Sequence, residues 1–219
     1  NTRGLVIDVR GNGGGTRDIL RAIFPYFMKA TDPLHVANIA AYRLPPDVAP
    51  DKEEGYLQDR ELHPVTSSAW SPEERISIEK FAKMFKPEWV PPAGQFSAWH
   101  YFALKRGAAP FHYERPAVIL MDTNCFSATD IFLAAFKGWR NVTLIGTPSG
   151  GGSGRAQRYT LTNSKIQLKL SSIASFRRDG SMYDGKGVAP DVEVHPQPGD
   201  FLRARSDSVL GSALKRFKK

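Results

Sequence analysis

Three continuous apolar runs stand out along the chain, and each ends in a turn of small residues. Residues 4–9 and 117–121 are continuous, largely aliphatic and β-branched runs, which is typical of strands buried on both faces of a parallel sheet. Residues 142–145 predict a third strand. The first two runs are followed by helical apolar spacing over residues 16–30 and 128–137. The repetition of strand, turn and helix predicts an α/β fold.

The middle of the chain differs in composition. Residues 32–115 are rich in proline and carry three of the four tryptophans. A helix start is visible where Ser71 can cap, Pro72 takes the first position and Glu74 the third. We predict a largely helical, Pro- and aromatic-rich insertion packed over the α/β core. It could be a lid that contacts substrate or a purely structural elaboration.

The predicted division of the chain follows from these patterns. Residues 1–31 form a first βα unit, residues 32–115 the insertion, and residues 116–219 the remainder of the core with a basic C-terminal helix. Alternating residues around 159–161 and 166–173 predict a hairpin within that last part. The chain begins with Asn and not Met, so we expect it to be a piece of something longer.

Charge and cysteine content narrow the function classes. The 219 residues carry a net charge of +8, which raises the possibility of a nucleic-acid partner. No interleaved aromatic pattern accompanies that charge, so no nucleic-acid partner is expected.

No apolar run approaches the about 20 residues that span a bilayer, so we expect no membrane insertion. A single cysteine, Cys125, excludes an internal disulfide and a multi-cysteine metal site. Much of the excess charge lies near the C-terminus, at Arg203, Arg205, Lys215, Arg216, Lys218 and Lys219.

The candidate chemistry lies where two of the predicted strands end. Ser127 follows the second apolar run and opens a helix, which places a hydroxyl beside helix amides. A glycine-rich turn, residues 11–15, follows the first run. A serine and bare amides at neighbouring strand ends suggest acyl transfer. Each signal is weak alone. Most serines at the start of a helix are N-caps. The glycine-rich turn lacks the Lys-Ser/Thr pair that ends a nucleotide-binding P-loop.

Four motifs in order carry a family resemblance. Together they resemble the S41 serine peptidases, which are the C-terminal-processing (tail-specific) proteases and their tricorn-core relatives. The resemblance implies a ClpP/crotonase-like core of stacked βα units that hydrolyses peptide or protein substrates through a serine. It also implies no metal or organic cofactor, an upstream domain and an extracytoplasmic location: periplasmic, envelope or secreted. The motifs are GLVIDVRGNGGG at 4–15, NCFSATD at 124–130, VTLIGTP at 142–148 and GKGVAPDVEV at 185–194.

The resemblance assigns roles to individual residues. Ser127 is the nucleophile, and the amides of Gly14 and Ala128 are the oxyanion donors, which fits the need for convergent N–H groups around a tetrahedral oxyanion. Asp184, just before the last motif, is a candidate orienting or specificity acid; a turn-forming Asp-Gly is the alternative.

The general base separates two branches of the family. The processing proteases use a lysine after the third strand, but residues 149–154 contain none, and Arg155 cannot accept a proton. The sequence therefore resembles the tricorn-core branch, whose histidine base precedes the glycine-rich turn and would precede Asn1. Of the five histidines present, His100 or His112 could serve if the insertion folds over Ser127.

The remaining polar candidates have structural interpretations. We expect Cys125 to pack as a small apolar side chain and Asp130 to be a capping charge in the first turn of its helix. We expect Asp8 and Arg10 to anchor the glycine turn. Lys165 and Lys169 lie in a strand pattern and are expected to face solvent. The alternative function is a peptide- or lipid-binding module that keeps the scaffold without turnover.

Overall fold

The chain contains both β-strands and α-helices, and five strands follow one another after α3. The computed structural model describes residues 2–44, 57–202 and 206–218. The strands in these ranges are β1 (Leu5–Asp8), β2 (His35–Tyr42), β3 (His63–Pro64), β4 (His100–Leu104), β5 (Ala117–Met121), β6 (Val142–Gly146), β7 (Ala156–Thr160), β8 (Gln167–Ser171), β9 (Ile173–Phe176) and β10 (Val192–Glu193). The α-helices are α1 (Asp18–Ile23), α2 (Pro72–Met84), α3 (Ala128–Phe136), α4 (Pro198–Leu202) and α5 (Ser208–Lys215).

A four-stranded parallel sheet forms the centre of the first of two units, which comprises residues 1–32, 106–152 and 185–219. Its strand order is β1-β5-β6-β10, and every neighbouring pair is parallel. All of β5 is buried, as its unbroken aliphatic sequence predicts. Val118 and Leu120 of β5 form an apolar cluster with Ile145 of β6 and with Val209 and Ala213 of α5. The three predicted strands and the α/β fold class are confirmed. The expected burial is wrong for β1, which lies at the edge of the sheet and has no buried residue.

The first helix is shorter than the pattern over residues 16–30 indicates. Helix α1 ends at Ile23 and is followed by a 3-10 turn at Phe24–Phe27. Pro25 lies in this turn, and proline has no N–H to donate and clashes with the preceding helical turn. Phe24 and Phe27 instead pack their rings against Phe136 of α3, at centroid distances of 4.9 and 5.1 Å.

The second unit comprises residues 33–105 and 153–184. It contains an antiparallel sheet of order β3-β4-β2-β9. Helix α2 begins with the predicted capping box, in which Ser71 and Glu74 bond each other's backbone, and its Ile78 is buried in the apolar cluster of this unit. The helix stops before Pro87, as expected.

The expectation of a largely helical insertion is wrong for the residues that the structure describes. In addition to α2, the predicted insertion contributes β2, β3 and β4 to a sheet. Seven of the eight residues of β2 are buried, and β2 is an inner strand that pairs with β4 and with β9. That pairing is non-local, so local spacing does not reveal it. Residues 45–56 of the predicted insertion lie outside the described residues.

Boundaries between units also differ from the linear division. Residues 106–115 belong to the first unit, and residues 153–184 join the second. The predicted hairpin is present as the β7–β8 ribbon, where Lys165 and Lys169 are exposed. In the basic C-terminal segment, α5 ends at Lys215, whereas Arg203, Arg205 and Lys219 lie outside the described residues. Among the helices described, none is long and apolar enough to cross a membrane.

Candidate active site

Two turns meet at the carboxyl end of the parallel sheet. Asp8 of β1 lies opposite Leu120 of β5, so both strands end at the same edge. Just beyond, the amide of Phe126 donates to the carbonyl of Asn12 at 3.1 Å. The glycine-rich turn therefore packs directly on the turn that carries Ser127.

Ser127 has a strained backbone. Its φ is +58° and its ψ is −117°, a conformation that L-residues rarely adopt. It occupies the N-cap position of α3, yet its side chain makes no capping hydrogen bond. A serine selected only as a cap would use its hydroxyl on the helix amides. Here the hydroxyl is not used as a cap, and it lies at a sharp strand-to-helix turn.

Gly14 lies against this turn, and only glycine fits there. Its φ is +104°, and a Cβ at this position would lie 2.7 Å from both Ser127 Cβ and the Phe126 carbonyl oxygen. The same Cβ would lie 3.0 Å from the Ala128 nitrogen. The structure therefore brings together three of the predicted site residues: Gly14, Ser127 and Ala128.

The two candidate oxyanion donors differ in their hydrogen bonding. Ala128 is the first residue of α3, and within the described part of its unit no acceptor faces its N–H. It also lies at the positive end of the helix. The N–H of Gly14 instead donates to Asn12 Oδ1 at 2.9 Å.

Cys125 and Asp122 hold the two turns together. Asp122 Oδ1 accepts hydrogen bonds from the amides of Gly11 and Asn124, both at 3.0 Å. The thiol of Cys125 donates to the Val9 carbonyl at 3.1 Å. Cys125 is fully buried, as expected, and burial raises the pKa of its thiol to about 12. A thiol that stays protonated is a poor nucleophile.

Asp130 does more than the predicted capping charge. Its side chain is fully buried and accepts three hydrogen bonds from the segment after β6. Ser149 Oγ donates to its Oδ1 at 2.5 Å, and the amides of Gly151 and Gly152 donate at 3.2 and 3.1 Å. Ser149 Oγ in turn accepts from the amide of Val188 at 2.8 Å. Asp130 of the motif at 124–130 is therefore linked, through Ser149, to Val188 of the motif at 185–194.

The segment after β6 packs beside the Ser127 turn. Gly150 donates its N–H to the Cys125 carbonyl at 2.7 Å, and a Cβ on Gly150 would lie 3.0 Å from the ring of Phe126. A Cβ on Gly152 would overlap that ring. Sequence reasoning missed Ser149 and this contact; the glycine run at 150–152 was the available signal, because close packing on a ring excludes side chains.

Arg10 anchors the glycine turn, as expected. Its guanidinium contacts Asp8 Oδ2 at 2.6 Å and Asp207 Oδ2 at 2.8 Å. The guanidinium keeps the pKa values of both carboxyls below their usual range, through hydrogen bonding above all. These groups fix the backbone at the end of β1, and none of them bonds Ser127.

Asp184 belongs to the second unit. Ser171 Oγ donates to its Oδ1 at 3.5 Å, and a Cβ on Gly154 would lie 3.1 Å from the same oxygen. Its proposed role toward Ser127 stays a prediction.

The two histidines of the first unit bond elsewhere. His112 contacts Glu114 Oε1 at 3.3 Å and the Phe27 carbonyl at 3.2 Å. His195 contacts Glu193 at 3.0 Å and is exposed. The second unit holds the other three; His100 is buried, and its Nδ1 lies 2.8 Å from the Ala98 carbonyl. Within the described ranges, no cluster of three or more His, Cys, Asp or Glu side chains could hold a metal ion.

Comparison with known proteins identifies the family. The family model "Peptidase family S41" matches residues 1–194, so the chain belongs to peptidase family S41. A protein of Chlamydia pneumoniae is 34% identical over 181 residues, which cover 76% of this chain and 27% of that protein. The carboxy-terminal-processing protease of Bartonella bacilliformis is 29% identical over 103 residues, covering 47% of this chain and 23% of that one. The chain thus spans about a quarter of the length of these curated relatives.

Solved structures share the fold. A candidate peptidase from Parabacteroides merdae superposes with a TM-score of 0.64 at 19% identity, covering 99% of this chain and 52% of that one. Mature CPAF complexed with lactacystin superposes with a TM-score of 0.55 at 16% identity, covering 88% of this chain and 40% of that one. The ClpP/crotonase-like fold class expected from the motifs is confirmed.

Proposed function

We propose that this chain is the catalytic core of a serine endopeptidase that acts through an acyl-enzyme on Ser127. The observation that carries the proposal is the Ser127 turn itself. Its strained backbone leaves the hydroxyl uncapped beside the Gly14 backbone and the open N–H of Ala128. Strain of this kind is held at functional sites, where surrounding contacts over-determine the conformation. Membership of peptidase family S41 supports the same reading.

The proposed chemistry is an ordinary two-step acyl transfer. Ser127 Oγ forms a bond to the peptide carbonyl carbon while a general base takes the hydroxyl proton. The carbonyl oxygen becomes an oxyanion held by the amides of Gly14 and Ala128. The C–N bond then breaks, the base returns the proton to the leaving amine, and water hydrolyses the ester by the same route.

The base in this proposal is a histidine outside these 219 residues. The chain spans about a quarter of its curated relatives, which leaves room for a further contributing segment. Both histidines of the first unit have other hydrogen-bond partners. Asp184 is proposed as an orienting or specificity acid. By family resemblance we also propose protein or peptide substrates, an upstream domain and an extracytoplasmic location.

A second candidate function is a peptide- or lipid-binding module without turnover. One observation favours it: the N–H of Gly14 is already satisfied by Asn12 Oδ1. An N–H that already donates to Asn12 is less available to stabilise an oxyanion. A binding protein performs no hydrolysis and does not need that donor to be free.

The test is labelling with a fluorophosphonate, which reacts covalently with activated serines. The full-length protein, the 219-residue chain and the Ser127→Ala variant of each are compared. Labelling of the full-length protein that disappears in Ser127→Ala supports the proposal. Labelling of the 219-residue chain at the same rate would contradict an external base and leave the nucleophile standing.

The other outcomes separate the two candidates. If the folded full-length protein is not labelled but binds peptide or lipid, the binding module replaces the peptidase. If Ser127→Ala is labelled as fast as the native protein, another residue is the nucleophile.

A further inference from the structure

Asn12 makes hydrogen bonds to both turns at the proposed oxyanion site, the glycine-rich turn and the turn that carries Ser127. Its backbone N–H donates to the Val9 carbonyl and its carbonyl accepts from the amide of Phe126, both at 3.1 Å. Its side-chain Oδ1 accepts the N–H of Gly14 at 2.9 Å. The backbone of Asn12 therefore holds the two turns together, while its side chain occupies one of the two proposed oxyanion donors.

We infer that the Asn12 side chain is a positioning latch that fills the place of the oxyanion at Gly14 until substrate displaces it. This inference rests on the proposed function of Ser127 and Gly14. The carboxamide oxygen of Asn12 is a neutral acceptor for the Gly14 N–H. In the proposed reaction the same N–H donates to the negatively charged oxyanion. A developing oxyanion accepts a hydrogen bond about twice as strongly as a neutral oxygen, so it outcompetes the latch in the transition state.

The latch is held by few contacts. Asn12 is exposed, and its side chain makes no other hydrogen bond to the described residues. Rotation of this side chain into solvent breaks a single neutral hydrogen bond, and water can replace it. The site can therefore exchange Asn12 for a substrate carbonyl without rearranging either turn.

A purely structural role makes a different prediction. Side chains of Asn and Asp both close a turn by accepting the amide two residues on. If Asn12 only shapes the turn, Asn12→Asp keeps its function and Asn12→Ala loses it. If Asn12 is a latch, the order reverses: a carboxylate holds the Gly14 N–H more tightly and repels the oxyanion, whereas alanine frees the donor.

The experiment compares fluorophosphonate labelling rates of the full-length protein and three variants. These are Asn12→Asp, Asn12→Ala and, as a matched control, Asn163→Asp in the exposed β7–β8 connection. Melting temperatures are measured in parallel, so that a misfolded variant is recognised.

We expect Asn12→Asp to label about ten-fold or more slowly than the native protein. We expect Asn12→Ala to label as fast or up to about five-fold faster, and Asn163→Asp to be unchanged. Native-rate labelling of Asn12→Asp overturns the latch and leaves the proposed function intact. So does slower labelling of Asn12→Ala at an unchanged melting temperature. A folded native protein that does not label at all overturns both proposals.

Discussion

Asp130 Oδ1 accepts a hydrogen bond from Ser149 Oγ at 2.5 Å, in a fully buried position. This contact joins the helix that begins after Ser127 to the segment after β6. The two amides that share the carboxylate, those of Gly151 and Gly152, have no other acceptor in the described part of the chain. The Asp130 side chain thus ties the start of α3, next to Ser127, to residues 149–152.

Removing this carboxylate should destabilise the protein strongly. In Asp130→Ala, one hydroxyl and two amides lose their acceptor in a buried site, and we expect a loss of about 2–4 kcal/mol in the free energy of unfolding. Urea denaturation measures it. Asp18→Ala, which removes an exposed carboxylate at the start of α1, is the control and should cost less than about 1 kcal/mol. Equal losses in the two variants would contradict the buried network.

Gly14→Ala should reduce labelling much more than Gly13→Ala. A Cβ on Gly14 meets Ser127 Cβ and the Phe126 carbonyl, whereas a Cβ on Gly13 meets nothing within 4 Å. Displacement of one oxyanion donor costs about a hundred-fold or more in rate. The fluorophosphonate rates of both variants test this, with Gly13→Ala expected near the native value. Comparable rates for the two would remove Gly14 from the site.

Backbone strain at Ser127 should be measurable in variants that lack the serine hydroxyl. Ser127→Ala keeps a Cβ at φ +58°, whereas Ser127→Gly relieves it. We expect Ser127→Gly to be more stable than Ser127→Ala by about 1 kcal/mol, after the greater unfolded-state entropy of glycine is counted. Urea denaturation of both decides. A more stable Ser127→Ala would show that this conformation is relaxed.

Cys125 should resist alkylation in the folded protein. Burial raises the pKa of its thiol from an ordinary value near 9.0 to about 12, so the thiol stays protonated at pH 9. We expect iodoacetamide to alkylate Cys125 of the folded protein far more slowly than it alkylates the thiol of free glutathione. Once urea unfolds the chain, we expect the two thiols to be alkylated at comparable rates. Modification of the folded protein as fast as glutathione would contradict this burial.

The same shift has a consequence for stability. Because the unfolded thiol ionises near pH 9 and the folded thiol near pH 12, the unfolded state loses its proton first. The contribution of Cys125 to stability is therefore complete below pH 9 and decreases as the pH rises towards 12. Comparing the pH dependence of unfolding with that of Cys125→Ala isolates this contribution from other groups.

The sequence by itself determined the parallel core and the family. The unbroken aliphatic run Ala117–Met121 is typical of a strand in the middle of a sheet covered on both faces, and all of β5 is buried. The small-residue turns after them carry the motifs of peptidase family S41. The cap at Ser71 and the break before Pro87 fixed α2, because capping and proline geometry are local.

Only the tertiary structure decided what depends on distant partners. Strand β2 is held in place by its pairing with β4 and β9, and no local sequence pattern predicts that pairing. The bonds of Asp130 to Ser149 and of Asn12 to Gly14 depend on where the turns stop relative to one another. The sequence shows which polar groups follow each strand. Which of them form hydrogen bonds depends on donor–acceptor distances within a few tenths of an ångström, and these distances are set only when the sheet is assembled.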